Sequence, residues 1–154
     1  MSLPPELQGP FNRFTAAVSR PDVEPEPDTA PTAPPPDSLI RLALTLEPYA
    51  RFVIHKRDAR QGDLYVGRPT LWGNSITLAA PDDDHERLRC VNAYARHFAA
   101  RSGRQQMFML APIRRIIKNG YRLACYCSPR TCHAQVLAAW AMGTRITPTD
   151  LEDV

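Results

Sequence analysis

The sequence predicts a small, compact α/β domain with a short, mostly parallel sheet flanked by helices. Three observations predict it. Short apolar runs of strand character alternate with longer segments of helical periodicity, in the order helix, strand, strand, helix, helix, strand, helix. Hydrophobic residues make up 44% of the 154-residue chain, enough for one core. Ten of the sixteen prolines fall within residues 1–37, which sets a proline-rich arm apart from the part that can fold.

The expected layout is an arm over 1–37, a single α/β domain over 38–148 and an acidic tail over 149–154. In the arm, Leu7 to Val18, with Phe11 and Phe14, has the spacing of one short helix. It suits docking to a protein partner. Residues 20–37 alternate proline with acidic and small residues and end in Pro34-Pro35-Pro36. Such a stretch reads as a disordered, partly polyproline linker.

The domain opens at Asp37-Ser38, a helix cap ahead of Leu39 to Leu46. Phe52-Val53-Ile54 is the first strand and leads into His55. Leu64-Tyr65-Val66 is the second and leads into Gly67-Arg68-Pro69. Asp82-Asp83-Asp84 begins a long helix running to Arg101, with Leu88, Val91, Ala95, Phe98 and Ala99 at helical spacing. Met107 to Lys118 is a helix interrupted or begun at Pro112 and stopped by Asn119-Gly120. Tyr121 to Cys127 is the third strand. Thr131 caps the last helix, Cys132 to Met142. If the strands are parallel, His55, the Gly67–Asn74 loop and the Cys125–His133 loop converge on one edge, where ligands of such sheets collect.

Charge is unevenly placed. Residues 1–37 carry six acids against two arginines, and Asp150, Glu152 and Asp153 make the tail acidic. Residues 38–149 therefore hold seventeen bases against seven acids, and only Lys56 and Lys118 among the bases are lysines. A basic domain suits a nucleotide or nucleic-acid partner, or it is simply a solvated face. No apolar run is long enough to cross a bilayer, and Met1-Ser-Leu-Pro-Pro lacks the features of a secretory signal. The expectation is a protein of the bacterial host cytoplasm with no membrane association, where clustered cysteines bind metal or do chemistry.

Three of the four cysteines and one of the four histidines fall within Cys125-Tyr-Cys-Ser-Pro-Arg-Thr-Cys-His133. On a strand, Cys125 and Cys127 point to one side and Tyr126 to the other. Cys132 and His133 then open a helix, where backbone N–H groups favour anions and lower thiol pKa values. One reading is a zinc site of Cys125, Cys127, Cys132 and His133. Adjacent helical residues diverge by about 100°, so His55 or Cys90 competes with His133 as fourth ligand. The other reading is a catalytic pair, with Cys132 as nucleophile and His133 or His55 as base. A third is that the cysteines are small buried residues. The spacing C-x-C-x4-C-H matches no common zinc-finger pattern.

Gly67-Arg-Pro-Thr-Leu-Trp-Gly-Asn74 offers parts for a nucleotide-like ligand. Gly67 and Gly73 permit close approach, Arg68 is a fork for phosphate, Trp72 is a stacking face, and Asn74 can read a base edge. A rigid turn with a buried tryptophan explains the same residues. It is not a phosphate-binding Walker loop, and the His-x-Glu and Pro-Cys-x-x-Cys signature of zinc deaminases is absent. Arg130, with Arg114, Arg115 and Arg122, is a further candidate for phosphate. Arg87, Tyr94 and His97 sit on the long helix at spacings that aim one or two of them at the site.

Together, Gly67-Arg68-Pro69…Trp72-Gly73-Asn74, a helix, then Leu123-Ala124-Cys125-Tyr126-Cys127…Cys132-His133…Val136-Leu137 resemble one family. This is the small bacterial and phage domain called domain of unknown function 4326, over about residues 52–143. The resemblance implies a compact α/β domain with shared positions at Gly67, Arg68, Trp72, Gly73, Asn74, Cys125, Cys127, Cys132 and His133. It implies no reaction. The chain departs from the family pattern after Asn74, where Ser75-Ile76 replace a proline and an aromatic. Two functions follow as expectations. One is a base- or nucleotide-modifying enzyme with a Cys/His site. The other is a non-catalytic, zinc-stabilised module that binds nucleic acid or protein.

Overall fold

Three short strands lie parallel in the order β1-β3-β2, where β1 is Val53–His55, β2 is Leu64–Tyr65 and β3 is Leu123–Cys125. The computed structural model describes residues 37–146. The expectations for the proline-rich arm, its docking role and the acidic tail lie outside them. Val53 and Leu64 both pair with Leu123, and His55 pairs with Cys125. Parallel pairing puts the carboxyl ends of all three strands on one edge, as expected. His55, Tyr65 and Cys125 end there.

Four helices pack around this sheet: α1 Asp37–Leu46, α2 Asp84–Ala99, α3 Gly103–Lys118 and α4 His133–Ala141. On α1, Leu39, Leu42 and Leu46 recur one helical face apart and are fully buried. Burial of each is worth about 2 kcal/mol. A 3-10 turn over Glu47–Phe52 then feeds β1, and a second over Lys56–Asp58 follows it. α4 is the central element. His133 to Ala139 are all buried, and Ala134, Ala138 and Ala139 let neighbouring helices come close.

Some boundaries differ from the sequence reading. α2 starts at Asp84, because the Asp83 carboxylate is the cap and accepts from the N–H groups of His85 (2.8 Å) and Glu86 (3.3 Å). α3 starts four residues before Met107 and runs through Pro112. Ser102 and Gln105 form a reciprocal capping box that fixes its start. Pro112 cannot meet the carbonyl of Phe108, but Phe108 is 74% exposed, so water can. Met109, Leu110, Ile113 and Ile117 form the buried face.

β3 begins two residues after Tyr121 and stops at Cys125, two residues before Cys127. Tyr126 to Pro129 form turns, one of them closed by the Arg130 N–H donating to the Cys127 carbonyl at 3.0 Å. The last helix begins at His133, with Cys132 rather than Thr131 as its cap. Between β2 and α2 runs an irregular segment that carries the Gly67–Asn74 motif. The Arg68–Pro69 and Ser128–Pro129 bonds are cis. No described helix is long and apolar enough to cross a membrane.

Candidate functional site

A cavity of about 350 Å3 opens at the carboxyl edge of the sheet. Its walls come from the end of β2 and the loop after it, from α2, and from the turn that joins β3 to α4. Cys125, Cys127, Cys132, His133, Gly67, Arg68 and Asn74 line it, so the two motifs meet as expected. Arg87, Cys90, Tyr65, Tyr126 and Thr131 line it as well.

None of the four cysteines is in a disulfide. Cys125, Cys127 and Cys132 couple to one another on the cavity wall. Cys132 is the acidic member. The bond from Cys125 lowers its pKa first, and the N–H groups of Ala134 and Gln135 help, against the cost of burial. The bond from Cys127 pulls Cys125 down, but its own bond to Cys132 and burial outweigh that and push it up to about 12. Cys127 rises above the ordinary thiol range through its bond to Cys125 and burial, with Arg87 opposing. The cap is locked from behind, since the Cys132 N–H donates to the Gln135 side-chain oxygen at 2.9 Å.

His133 is buried, with its Nε2 3.0 Å from the Val66 carbonyl. A carbonyl only accepts, so Nε2 carries the proton and Nδ1 keeps the lone pair. Burial lowers the His133 pKa, and Arg68 adds to this against the Val66 bond. The ring is therefore neutral, and it packs edge-on to Tyr94 at 5.1 Å. Among the described residues, no group of three or more His, Cys, Asp or Glu is arranged to hold a metal ion. Three sulfurs and the His133 Nδ1 suit zinc by chemistry, but they do not form such a group.

Several expected ligand-binding residues have structural roles. Trp72 does not line the cavity. Its indole N–H donates to the Met109 carbonyl at 2.9 Å and its ring packs on the core. Asn74 reaches the cavity wall, but its oxygen accepts from the Ile76 N–H (2.9 Å) and its amide reaches the Cys90 carbonyl (3.4 Å). Gly67 and Gly73 make room for the protein itself. A Cβ on Gly67 would lie 2.3 Å from the Tyr65 hydroxyl, and one on Gly73 would lie 2.9 Å from the Arg68 backbone nitrogen. His55 stands outside the cavity lining, its Nδ1 accepting from the Arg57 N–H at 3.1 Å. Arg130 also lies outside the lining, tied to the Pro81 carbonyl at 3.0 Å and the Asp82 carboxylate at 3.4 Å. Arg114 donates to the Ala141 carbonyl at the end of α4, and His97 is exposed.

Arg87 emerges as the buried cation of the site. It is 9% exposed, and its Nη2 donates to the Pro81 carbonyl. Its Nε has no hydrogen-bond partner, the Asp84 carboxylate being 4.0 Å away. The signal was in the sequence, because Arg87 is four residues before Val91 and shares its buried face. Leu88, expected on that face, is half-buried instead. Tyr126 was expected to point away but lines the cavity, because β3 ends before it and the strand alternation stops.

No curated protein and no solved structure matches the chain. Residues 53–143, more than half of the chain, match the family model described as Domain of unknown function (DUF4326), and the chain belongs to that family.

Proposed function

We propose that this domain is a thiol-dependent enzyme acting on a nucleotide or on a nucleic-acid-linked substrate, with Cys132 as nucleophile. The observation that carries this is the pairing of two buried groups on one cleft. Cys132 caps α4 on the cleft wall with its pKa lowered, and the Arg87 guanidinium has an unpartnered Nε. A buried arginine with an unsatisfied Nε and a cysteine of lowered pKa on one cleft wall suit an anionic substrate better than a structural core.

The roles divide as follows. Cys132 adds to an electrophilic ring carbon of the bound base, and its S–C bond forms as the ring π bond breaks and that electron pair moves onto a ring heteroatom. Arg87 and the exposed Arg68 hold phosphate or a developing negative charge. His133, neutral and with Nδ1 unprotonated, is the base within the cleft lining.

Timed alkylation with iodoacetamide at neutral pH, read by peptide mass spectrometry, tests the reading. Cys132 should label ahead of Cys90, Cys125 and Cys127 in the folded protein, and nucleoside monophosphates should slow it. The reading fails if Cys132 labels only after denaturation. It also fails if the purified protein holds stoichiometric zinc and unfolds when the metal is chelated, which supports the zinc-stabilised module instead.

A further inference from the structure

Beside the thiol cleft, the carboxyl edge of the sheet carries an aromatic and basic lip that the cleft chemistry leaves unused. Tyr126 lines the cleft and is nevertheless 59% exposed. The rings of His55 and Tyr65 stand almost perpendicular to it, with centroids 6.1 and 6.0 Å away, so neither is stacked on it. Lys56 fixes the arrangement. Its ammonium donates to the Tyr126 hydroxyl at 2.9 Å and lies 4.4 Å from the centre of the Tyr65 ring and 4.8 Å from that of Tyr126. Arg57 and Arg60 follow in the same exposed segment, and Arg68 lies at the cleft. Among the described residues, none of these four cations makes an ion pair with a carboxylate.

Taking the cleft as the thiol site proposed above, we infer that the substrate is a single-stranded nucleic acid. One nucleotide enters the cleft and the base of its neighbour stacks on Tyr126. Three observations lead there. The cavity, at about 350 Å3, is at the small end of ligand sites and holds one nucleotide-sized group. The exposed ring immediately outside gives the next base a flat face. The unpaired Lys56, Arg57 and Arg60 provide contacts for a continuing phosphate backbone, which a free mononucleotide does not need. A duplex keeps its bases stacked within itself and cannot offer one to Tyr126.

The test is fluorescence anisotropy with labelled 12-mers of one mixed sequence, as single-stranded DNA, single-stranded RNA and duplex DNA. It uses the full chain carrying Cys132→Ser, so that binding is read without chemistry. At least one single strand should bind more tightly than the duplex, and an unlabelled nucleoside monophosphate should compete poorly. Tyr126→Ala should weaken single-strand binding about tenfold, and Tyr126→Phe, which keeps the ring, should not. Lys56→Ala should lower the salt-dependence slope by roughly 0.7, the loss of one single-strand phosphate contact. Each variant is first checked by thermal melting.

Equal affinity for monophosphate and 12-mer, preference for the duplex, or a folded Tyr126→Ala with unchanged binding overturns the inference. Any of these leaves the thiol reading standing if wild-type Cys132 still labels fast. If no nucleic acid or monophosphate binds and Cys132 labels slowly, both readings fall.

Discussion

Between Gly67 and Asn74, most polar groups are engaged inside the protein. Between Cys125 and His133, the three cysteines face a cleft. In the first loop the Thr70 hydroxyl bonds to the Gly67 carbonyl, the Trp72 carbonyl accepts from Tyr94, and the Trp72 indole and the Asn74 amide tie down to α3 and α2. Only Arg68 offers a charge outward. In the second loop the backbone is fixed by the turn and the α4 cap, which leaves the side chains to present chemistry. The first loop therefore shapes the cleft, and the second supplies its reactive group. Substitutions in the first should cost stability, and those in the second should cost reactivity.

The largest expected effect is at Cys132. Cys132→Ser should abolish the fast alkylation phase and leave the urea midpoint close to that of the parent, since serine keeps size and capping ability. A folded Cys132→Ser protein that still labels fast at another cysteine would move the reactive role out of this position. Next comes Trp72→Ala, which removes a packed ring and the bond to Met109. It should lower unfolding free energy by about 3 kcal/mol while folded molecules keep fast Cys132 labelling. If stability held and oligonucleotide affinity fell instead, Trp72 would be a ligand residue and the contrast between the loops would break.

Gly73→Ala should cost roughly 1–3 kcal/mol, because its new Cβ meets backbone at Arg68, which cannot turn aside. Gly67→Ala should cost less, since the obstacle there is the Tyr65 side chain. Urea unfolding of the two variants side by side checks the order, and equal losses would mean that Tyr65 is as immovable as backbone.

The division between the loops explains what could be read from the sequence. The parallel sheet, its order of elements and the meeting of both motifs were legible, because each strand ends in a loop signal and each helix shows an apolar period. The caps at Ser102 and Cys132 were also legible in principle, since each has a glutamine three residues on. The roles of Trp72 and Tyr126 were not. Both are single aromatics beside motif residues, and only tertiary contacts decide which one packs and which one stays open. Where β3 stops settles the matter for Tyr126, and strand ends are set by pairing that no local pattern reveals. Arg87 lay within an apolar period, but a charged residue at such a position reads as surface until the cleft beside it is known.

The finest expected effect concerns the three coupled cysteines. Cys132 lies below the ordinary thiol range chiefly because Cys125 donates to it. Hydrogen bonding to a charged form favours that form, so removing the donor must raise the pKa. Cys125→Ala should therefore move the midpoint of the pH–alkylation profile of Cys132 upward, towards the ordinary thiol value of about 8.5. Cys125→Ser, whose hydroxyl still donates, should restore part of the shift. Cys127→Ala should act more weakly and in the opposite direction, because Cys127 itself raises the Cys132 pKa and ranks below Cys125. If all three profiles coincided with the parent, the α4 terminus alone would hold the thiolate. The second loop would then owe its chemistry to one cap, as the first loop owes its shape to its own hydrogen bonds.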